Sequence, residues 1–345
     1  MTESNIDAVV SDRPISTILV TGGAGYVGSI LLRRLLQKGY RVICLDCLRY
    51  GGRALLDIWD HPNFVFHRVD IINYPDVEGV FEHNHIDGIV HLAAIVGDPA
   101  CKLEPDLARK TNLDASIHLM ESARKYHVSR FVFASTCSNY GKMKDSDDFV
   151  DETSPLNPVS LYAVLKVAFE KLLLERPNQG DDFHPTVLRF STVYGMSPRM
   201  RFDLTVNEFT KEFALGRELV VFGENYWRPY CHVSDFSQAI FKVLNAPKEI
   251  VSGNIYNVGD STQNYTKKMI VDELLKQIPG ARVRYVQVGE DPRDYRVRFG
   301  KIANTLGFRI SKTVPEGVSD MLSCLRQGVI EDPDDQNYYN IPHPR

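Results

Sequence analysis

Two spacings of apolar residues alternate along the first half of the chain. Short apolar runs at Ile18–Val20, Arg41–Asp46, Phe64–Asp70, Ile86–Ala94, Arg130–Thr136 and Thr186–Phe190 have the length and β-branched or aromatic content of buried strands. Between them apolar positions recur every three or four residues, as at Val27, Ile30, Leu31 and Leu35, the mark of one helical face. The pattern predicts helices after Gly25, over Tyr74–Glu82, over Glu104–Tyr126 (carrying Asn112) and around Tyr162, and a loop into a short helix over Arg49–Asp57. Strand and helix in strict turn predict an α/β fold with a doubly wound parallel sheet. The second half is less regular. A helix is expected to open within Arg199–Asn207, and a short strand to cover Val220–Gly223. A late strand over Asn254–Gly259 should return to the sheet, and Thr266–Ile278, Val283–Val288 and Pro315–Leu325 should be the helices and strand of a smaller lobe.

The turn after the first strand gives the fold a chemical direction. Thr21-Gly-Gly-Ala-Gly-Tyr-Val-Gly28 fits Gly-x-Gly-x-x-Gly at Gly23, Gly25 and Gly28, and Gly-x-x-Gly-x-x-Gly at Gly22, Gly25 and Gly28. Such glycines allow a tight turn, close approach of backbone to a pyrophosphate, and tight helix–strand packing. The helix N-terminus that follows, at Tyr26, Val27 and Gly28, offers unpaired N–H groups and a positive dipole end to phosphates. The second strand ends in Asp46, about 20 residues past the glycines, where a carboxylate meets the ribose hydroxyls of NAD in Rossmann-type folds. Arg49 lies close enough to hold a 2′-phosphate, so NAD is favoured and NADP stays open. Asp70 and Ile71 close the third strand at the sheet's carboxyl edge; Asp70 could take the adenine amino group, cap the next helix, or both. The fourth strand ends in Ala93 and Ala94, small enough for a dinucleotide to pass, while His91 reads as a packed strand residue.

Composition narrows the class without naming a reaction. The chain has 345 residues, 43% apolar and 24% charged, with a net charge of −4, which suits a soluble globular protein and gives no basic patch for nucleic acid. No run is apolar and long enough for a membrane span, and Met1–Pro14 lacks the apolar core of a secretory signal. Six scattered cysteines show no zinc-ligand spacing, so no metal is expected and a reducing cytoplasm fits best.

At the end of the fifth strand hydroxyls gather: Ser135-Thr136-Cys137-Ser138-Asn139-Tyr140-Gly141. An acidic stretch, Lys142–Pro158, follows (Asp145, Asp147, Asp148, Asp151, Glu152) and is expected to be exposed. The next helix carries Tyr162 and Lys166, four apart and so on one face. An ammonium beside a phenol favours phenolate and makes Tyr162 a candidate general base or acid near neutral pH.

This order of features resembles the extended short-chain dehydrogenase/reductase family, and within it the nucleotide-sugar epimerases, dehydratases and reductases. The resemblance runs from about Ser16 to Leu325 on the glycine turn, His91-Leu-Ala-Ala94, Ser135–Gly141, Tyr162-x-x-x-Lys166, Leu188-Arg-Phe-Ser-Thr-Val-Tyr-Gly195 and Arg228-Pro-Tyr-Cys-His-Val233. It implies Tyr162 as base/acid, Lys166 on the nicotinamide ribose, Thr136 on the reacting sugar oxygen, and Asn112 at the family's asparagine after strand four. It places Arg199 and Asn207 in the nucleotide-diphosphate pocket, Arg228 on the diphosphate, and Arg293 or Arg296 as a second cation there. It implies an NAD-binding part over 14–190 with a return segment near 230–260, a nucleotide-sugar lobe over 191–229 and 261–330, and tails at 1–13 and 331–345, the latter wrapping or dangling. It also implies a homodimer through the Glu104–Tyr126 helix and the one bearing Tyr162.

Dehydratases of the family carry Thr-Asp-Glu at the end of strand five; here the stretch is Thr136-Cys137-Ser138, which lacks both acid and base and argues against 4,6-dehydration. Cys137 as an unusual acid is the weaker reading beside a small packed thiol. A C4 epimerase acting through a transient 4-keto-sugar is favoured. A 4-keto-sugar reductase or dehydrogenase using NAD(P)H is the alternative, and a non-catalytic dinucleotide sensor a distant third, since Tyr162 and Lys166 are both present. His232 is expected to pack at the lobe junction rather than carry protons.

Overall fold

The computed structural model describes residues 15–143, 148–175, 182–287 and 293–342; the N-terminal arm, Asp145 and Asp147 lie outside them. The strands are β1 (Thr17–Thr21), β2 (Arg41–Leu45), β3 (Phe64–His67), β4 (Gly88–His91), β5 (Arg130–Thr136), β6 (His184–Phe190), β7 (Thr192–Tyr194), β8 (Leu219–Phe222), β9 (Trp227–His232), β10 (Asn254–Val258), β11 (Asn264–Thr266) and β12 (Val283–Val286). The helices are α1 (Tyr26–Gln37), α2 (Tyr74–Glu82), α3 (Asp98–Leu103), α4 (Pro105–Arg109), α5 (Ala115–Lys125), α6 (Leu161–Glu175), α7 (Thr205–Ala214), α8 (Val233–Asn245), α9 (Lys248–Val251), α10 (Lys267–Gln277), α11 (Gly300–Leu306) and α12 (Val314–Arg326).

Seven strands form one parallel sheet in the order β10-β6-β5-β4-β1-β2-β3. Its central strands are apolar on both sides because helices cover both faces. Ile18, Val20 and Val42 pack with Leu31, Leu35, Ile240 and Val243 of α1 and α8, whereas Leu19, Ile43 and Ile89 pack with Val77, Leu119 and Phe169 of α2, α5 and α6. The chain winds outward from β1 to β3, then crosses back to β4, so the strand order reverses between β1 and β4. A crevice opens at the carboxyl ends of the strands at such a reversal. The late strand β10 joins this sheet beside β6, as expected.

Outside the sheet, β11, β9 and β7 form a three-stranded sheet and β12 pairs with β8. With α7, α10 and α12 they enclose a second apolar cluster that includes Phe209, Val221, Tyr230, Leu274 and Val318.

Several expectations need correction. The single helix expected over 104–126 is instead α4, a π-helical turn at Lys110–Asp114, and α5, preceded by the separate α3. Pro99 and Pro105 each sit in the first turn of a new helix, where a missing N–H costs nothing, and Glu104 between them is non-helical (φ −130°). Arg199 is not helical: α7 begins only at Thr205, with Asn207 in its first turn. The strand expected over 283–288 ends at Val286, and Val288 lies outside the described residues. The acidic stretch after β5 is only partly exposed among its described residues: Asp148 is exposed, Asp151 and Glu152 are half-buried, Lys142 and Val150 bridge to Asp294 and Val297, and Glu152 accepts from the Asn257 N–H at 2.8 Å.

The described C-terminal residues wrap. Asp334 pairs with Lys211 Nζ (2.7 Å) and Arg217 Nη2 (2.6 Å), and Tyr339 Oη bonds Lys211 Nζ (2.7 Å). Phe202 N–H then donates to Tyr338 O at 2.9 Å, which leads the chain across to the sheet's carboxyl edge.

Candidate active site

The crevice at that edge is a cleft of about 530 Å³. Its floor is the turn from β1 to α1. Gly22 has φ +74°, and a Cβ there would lie 2.7 Å from Ala93 N; a Cβ on Gly28 would lie 2.3 Å from Gly22 O. These two positions therefore require glycine: one for conformation, one for the close seating of α1 on the turn. Gly25 is the N-cap of α1 and supplies no side-chain cap, so the first N–H groups of the helix face the cleft unspent.

Asp46 stands at one end. Its carboxylate accepts from Ala24 N–H (3.0 Å) and Leu48 N–H (2.8 Å), which locks its orientation, and burial raises its pKa against those bonds. Arg49 pairs with Glu104 at 2.5 Å rather than standing open for a 2′-phosphate. Asp70, Ile71, Ala93 and Ala94 line the same end. Asp70 does not cap α2: it accepts from Ile72 N–H (3.2 Å), and Asn73 holds the cap position.

At the other end lie Thr136, Ser138, Tyr162 and Lys166. Strand β5 delivers Thr136 to the edge, where its Oγ1 accepts from Ser138 N–H at 3.1 Å. Helix α6 turns Tyr162 and Lys166 into the same space, Nζ lying 5.9 Å from the phenol ring centre. Lys166 is buried, sits 4.6 Å over the Phe133 ring, and donates to Ala134 O at 2.7 Å. Burial brings its pKa down to about 8, with the Cys101 thiol and Glu170 pulling the other way. The expected lowering of the Tyr162 phenol is not what this arrangement produces. Burial pushes that pKa up, and the neighbouring Cys101 and Asp98 add to the rise.

Arg199, Arg228 and Arg293 also line the cleft. Arg228 lies over the Tyr295 ring at 5.2 Å, and Arg293 pairs with Asp98 at 2.6 Å. Arg199 lies over Tyr50 at 4.3 Å; burial lowers its pKa to about 10, and its buried Nε has no hydrogen-bond partner among the described residues. Arg296 stacks on Phe149 and Trp227.

Three expected site residues are not in the cleft. Asn112 is buried in the π-helical turn and holds the Ile95 backbone, accepting from N–H at 2.8 Å and donating to O at 2.9 Å. Asn207 accepts from Gly195 N–H (2.9 Å) and donates to Tyr26 Oη (3.1 Å). Cys137 is buried, bonds Arg189 O at 3.2 Å, and has its pKa carried far up by burial, the setting of a packed thiol. His91 and His232 are held as packed residues. His91 lies between Thr21 Oγ1 and Ser116 Oγ (2.7 and 2.8 Å), His232 against Ser234 Oγ (2.6 Å), and burial lowers both pKa values, to about 3 and about 4.

Sequence reasoning missed Tyr50, Asp98, Arg201, Asn340 and Ile341, all of which line the cleft. Asp98 had a legible signal, a carboxylate in the loop after a strand that ends at the cleft. Arg201, held by both Asp203 oxygens at 2.9 and 2.7 Å, lay in a stretch already singled out. Asn340 and Ile341 had none.

The residues present fit a nicotinamide dinucleotide. A glycine cradle with no room for a Cβ, an uncapped helix N-terminus, an anchored carboxylate and an unpartnered buried guanidinium nitrogen lie along one groove.

Comparison with known proteins agrees. Residues 18–259 match the model of the NAD dependent epimerase/dehydratase family. A dTDP-glucose 4,6-dehydratase of Neisseria gonorrhoeae is 30% identical over 330 residues, covering 87% of this chain and 93% of that one. A UDP-glucose 4-epimerase of Bacillus subtilis is 26% identical over 325 residues, covering 88% and 95%. The crystal structure of a Thermotoga maritima UDP-glucose 4-epimerase with UDP-glucose superposes with a TM-score of 0.80 at 28% identity, covering 91% and 99%. The chain belongs to the NAD-dependent epimerase/dehydratase family, and its cofactor is NAD.

Proposed function

We propose that the protein is a nucleotide-sugar 4-epimerase that works through a transient 4-keto-sugar. The observation that carries this reading is the end of β5. Tyr162, Lys166 and Thr136 share the NAD cleft, but the positions where dehydratases of the family keep an acid and a base are a buried thiol and Ser138. Those two side chains offer no carboxyl acid or base for the loss of water from the sugar.

NAD, when bound, supplies the acceptor and donor of hydride. The chain's own residues do the rest. Thr136 holds the reacting sugar oxygen. Tyr162 Oη takes the hydroxyl proton and later returns it, and a phenol kept protonated by burial is poised for the return. The Lys166 charge, near the same ring, favours the opposite state during proton removal. Arg228 and Arg293, on the Tyr295 side of the cleft, hold the diphosphate through forked N–H pairs. Asn112 acts at one remove, by fixing the Ile95 backbone at the cleft wall.

The chain is further expected to form a homodimer across α5 and α6, where Ile117 and Leu172 are half-buried and Val164 is exposed. Light scattering of the purified protein tests this.

The deciding experiment combines two measurements: the cofactor extracted from the purified protein, and NMR of products from UDP-, dTDP-, GDP- and CDP-sugars. Bound NAD(H) with interconversion of C4 epimers supports the reading. An empty protein that consumes NADPH with a 4-keto-sugar would establish a reductase instead.

A further inference from the structure

We propose that the C-terminal strand of chain completes the cofactor site: Asn340 and Ile341 clasp the bound dinucleotide and hold it through successive turnovers. The NAD-bound cleft is the premise; the clasp goes beyond it and beyond the residues matched to the family, which stop at 259.

The cleft has two marked ends, Asp46 and Tyr162, and the chain's last described residues touch the surroundings of both. On the Asp46 side, Tyr50 Oη reaches Asn340 O at 3.5 Å, and Arg199 Nη2 reaches Tyr339 O at 3.5 Å. On the Tyr162 side, Ile341 packs into the apolar cluster of Ile95, Cys101, Leu161, Tyr162 and Leu165. Asn340 and Ile341 both line the cleft. The segment therefore bridges the cleft from one wall to the other.

Two buried polar atoms lie along this bridge without partners among the described residues: Asn340 Oδ1 on the segment and Arg199 Nε beside it. A buried amide oxygen and a buried guanidinium N–H in one groove call for complementary groups on a ligand. A dinucleotide offers both, hydroxyl donors on its riboses and anionic oxygens on its pyrophosphate.

The fastenings lie outside the cleft. Asn340 N–H donates to Asp203 Oδ2 at 3.2 Å, Phe202 packs edge-on against Tyr338, and Asp334 bonds Lys211 and Arg217. A dinucleotide leaving between the two walls must first lift this segment. Retention suits a reaction that returns its cofactor to the starting oxidation state in every cycle.

The test uses the full chain and reads NADH dissociation from loaded protein by the decay of its fluorescence against excess NAD, with the NAD(H) content of freshly purified protein alongside. Ile341→Asp places a charge in the apolar seat and is expected to speed dissociation by about tenfold or more and to strip the purified protein of cofactor. Ile341→Val should behave as the parent chain. Should Ile341→Asp fail to fold, Asn340→Ala and the remote Asp334→Ala carry the test, with dissociation faster in both and, for the parent chain, faster as salt weakens the exposed Arg217 pair. Equal dissociation rates in the parent chain, Asn340→Ala and a folded Ile341 or Asp334 variant would overturn the clasp while leaving the NAD cleft intact. A parent chain that binds no NAD(H) at all would overturn the premise along with it.

Discussion

Two buried cations sit side by side on opposite terms. Lys166 and Arg189 are 2% and 3% exposed. Arg189 donates to Glu170 through Nη2 (2.7 Å) and Nε (3.2 Å) and to Tyr140 Oη through Nη1 (3.1 Å), and Tyr140 Oη donates in turn to Asn257 Oδ1 at 2.8 Å. Glu170 also accepts from Asn139 Nδ2 (2.8 Å) and from Ser135 Oγ. Lys166, one helical turn before Glu170, has one hydrogen bond among the described residues, to Ala134 O at 2.7 Å. The Glu170 carboxylate holds the Arg189 pKa up against burial, while burial takes Lys166 down to about 8. The difference separates scaffolding from chemistry. A charge that holds β5, β6 and α6 together has its partners inside the protein. A charge kept for a substrate or cofactor is left short of them, and folding bears the cost.

The contrast can be broken from either side. The largest effect belongs to the chemistry: Tyr162→Phe is expected to lower kcat by about a thousandfold or more with an unchanged melting temperature, since it deletes one proton-transfer group without disturbing packing. Next comes the scaffold. Glu170→Ala leaves Arg189 buried without its carboxylate and should cost about 3–5 kcal/mol in denaturant unfolding. Lys166→Met should do the reverse of Glu170→Ala, abolishing most turnover while leaving stability equal or higher.

The pH dependence sharpens the same point. The folded protein holds the Lys166 proton less tightly than the unfolded chain does, so between about 8 and 10.5 the unfolded state binds more protons. Stability should therefore rise with pH through that window relative to Lys166→Met, and activity should fall above about pH 8 as the charge is lost. Urea midpoints of the two proteins at matched pH, with a pH–rate profile, check both. The smallest effect is expected from Cys137→Ser. Turnover should stay within about twofold, because the thiol only packs and donates to a carbonyl, and a large loss would return Cys137 to the chemistry.

Much of the catalytic end was legible because its elements are local. The spacing of Tyr162 and Lys166 on one helix, the glycine turn and the acid at the end of β2 each depend on a few consecutive residues whose backbone conformation their own side chains dictate. The arginines were harder. The helix expected from Arg199 begins only at Thr205, because Met200 and Phe202 bury themselves in a cluster with Tyr26, Met321 and Tyr339. Asn112 is marked in the sequence only by its match to the family's asparagine after strand four. Only the π-helical turn, which swings its amide onto the Ile95 backbone, reveals what it holds.

By itself the sequence determined the alternation that makes a parallel sheet, the dinucleotide turn, and the candidate trio of Thr136 at the end of β5 with Tyr162 and Lys166 on α6, because periodicity and short motifs encode local geometry. The tertiary structure decided everything that depends on partners far along the chain. It turned Arg49 to Glu104, gave Arg189 its Glu170, left Lys166 without a carboxylate, and brought residues 340 and 341 beside Tyr50 and Tyr162. Burial and distance set those terms, and neither is a property of any stretch of sequence read alone.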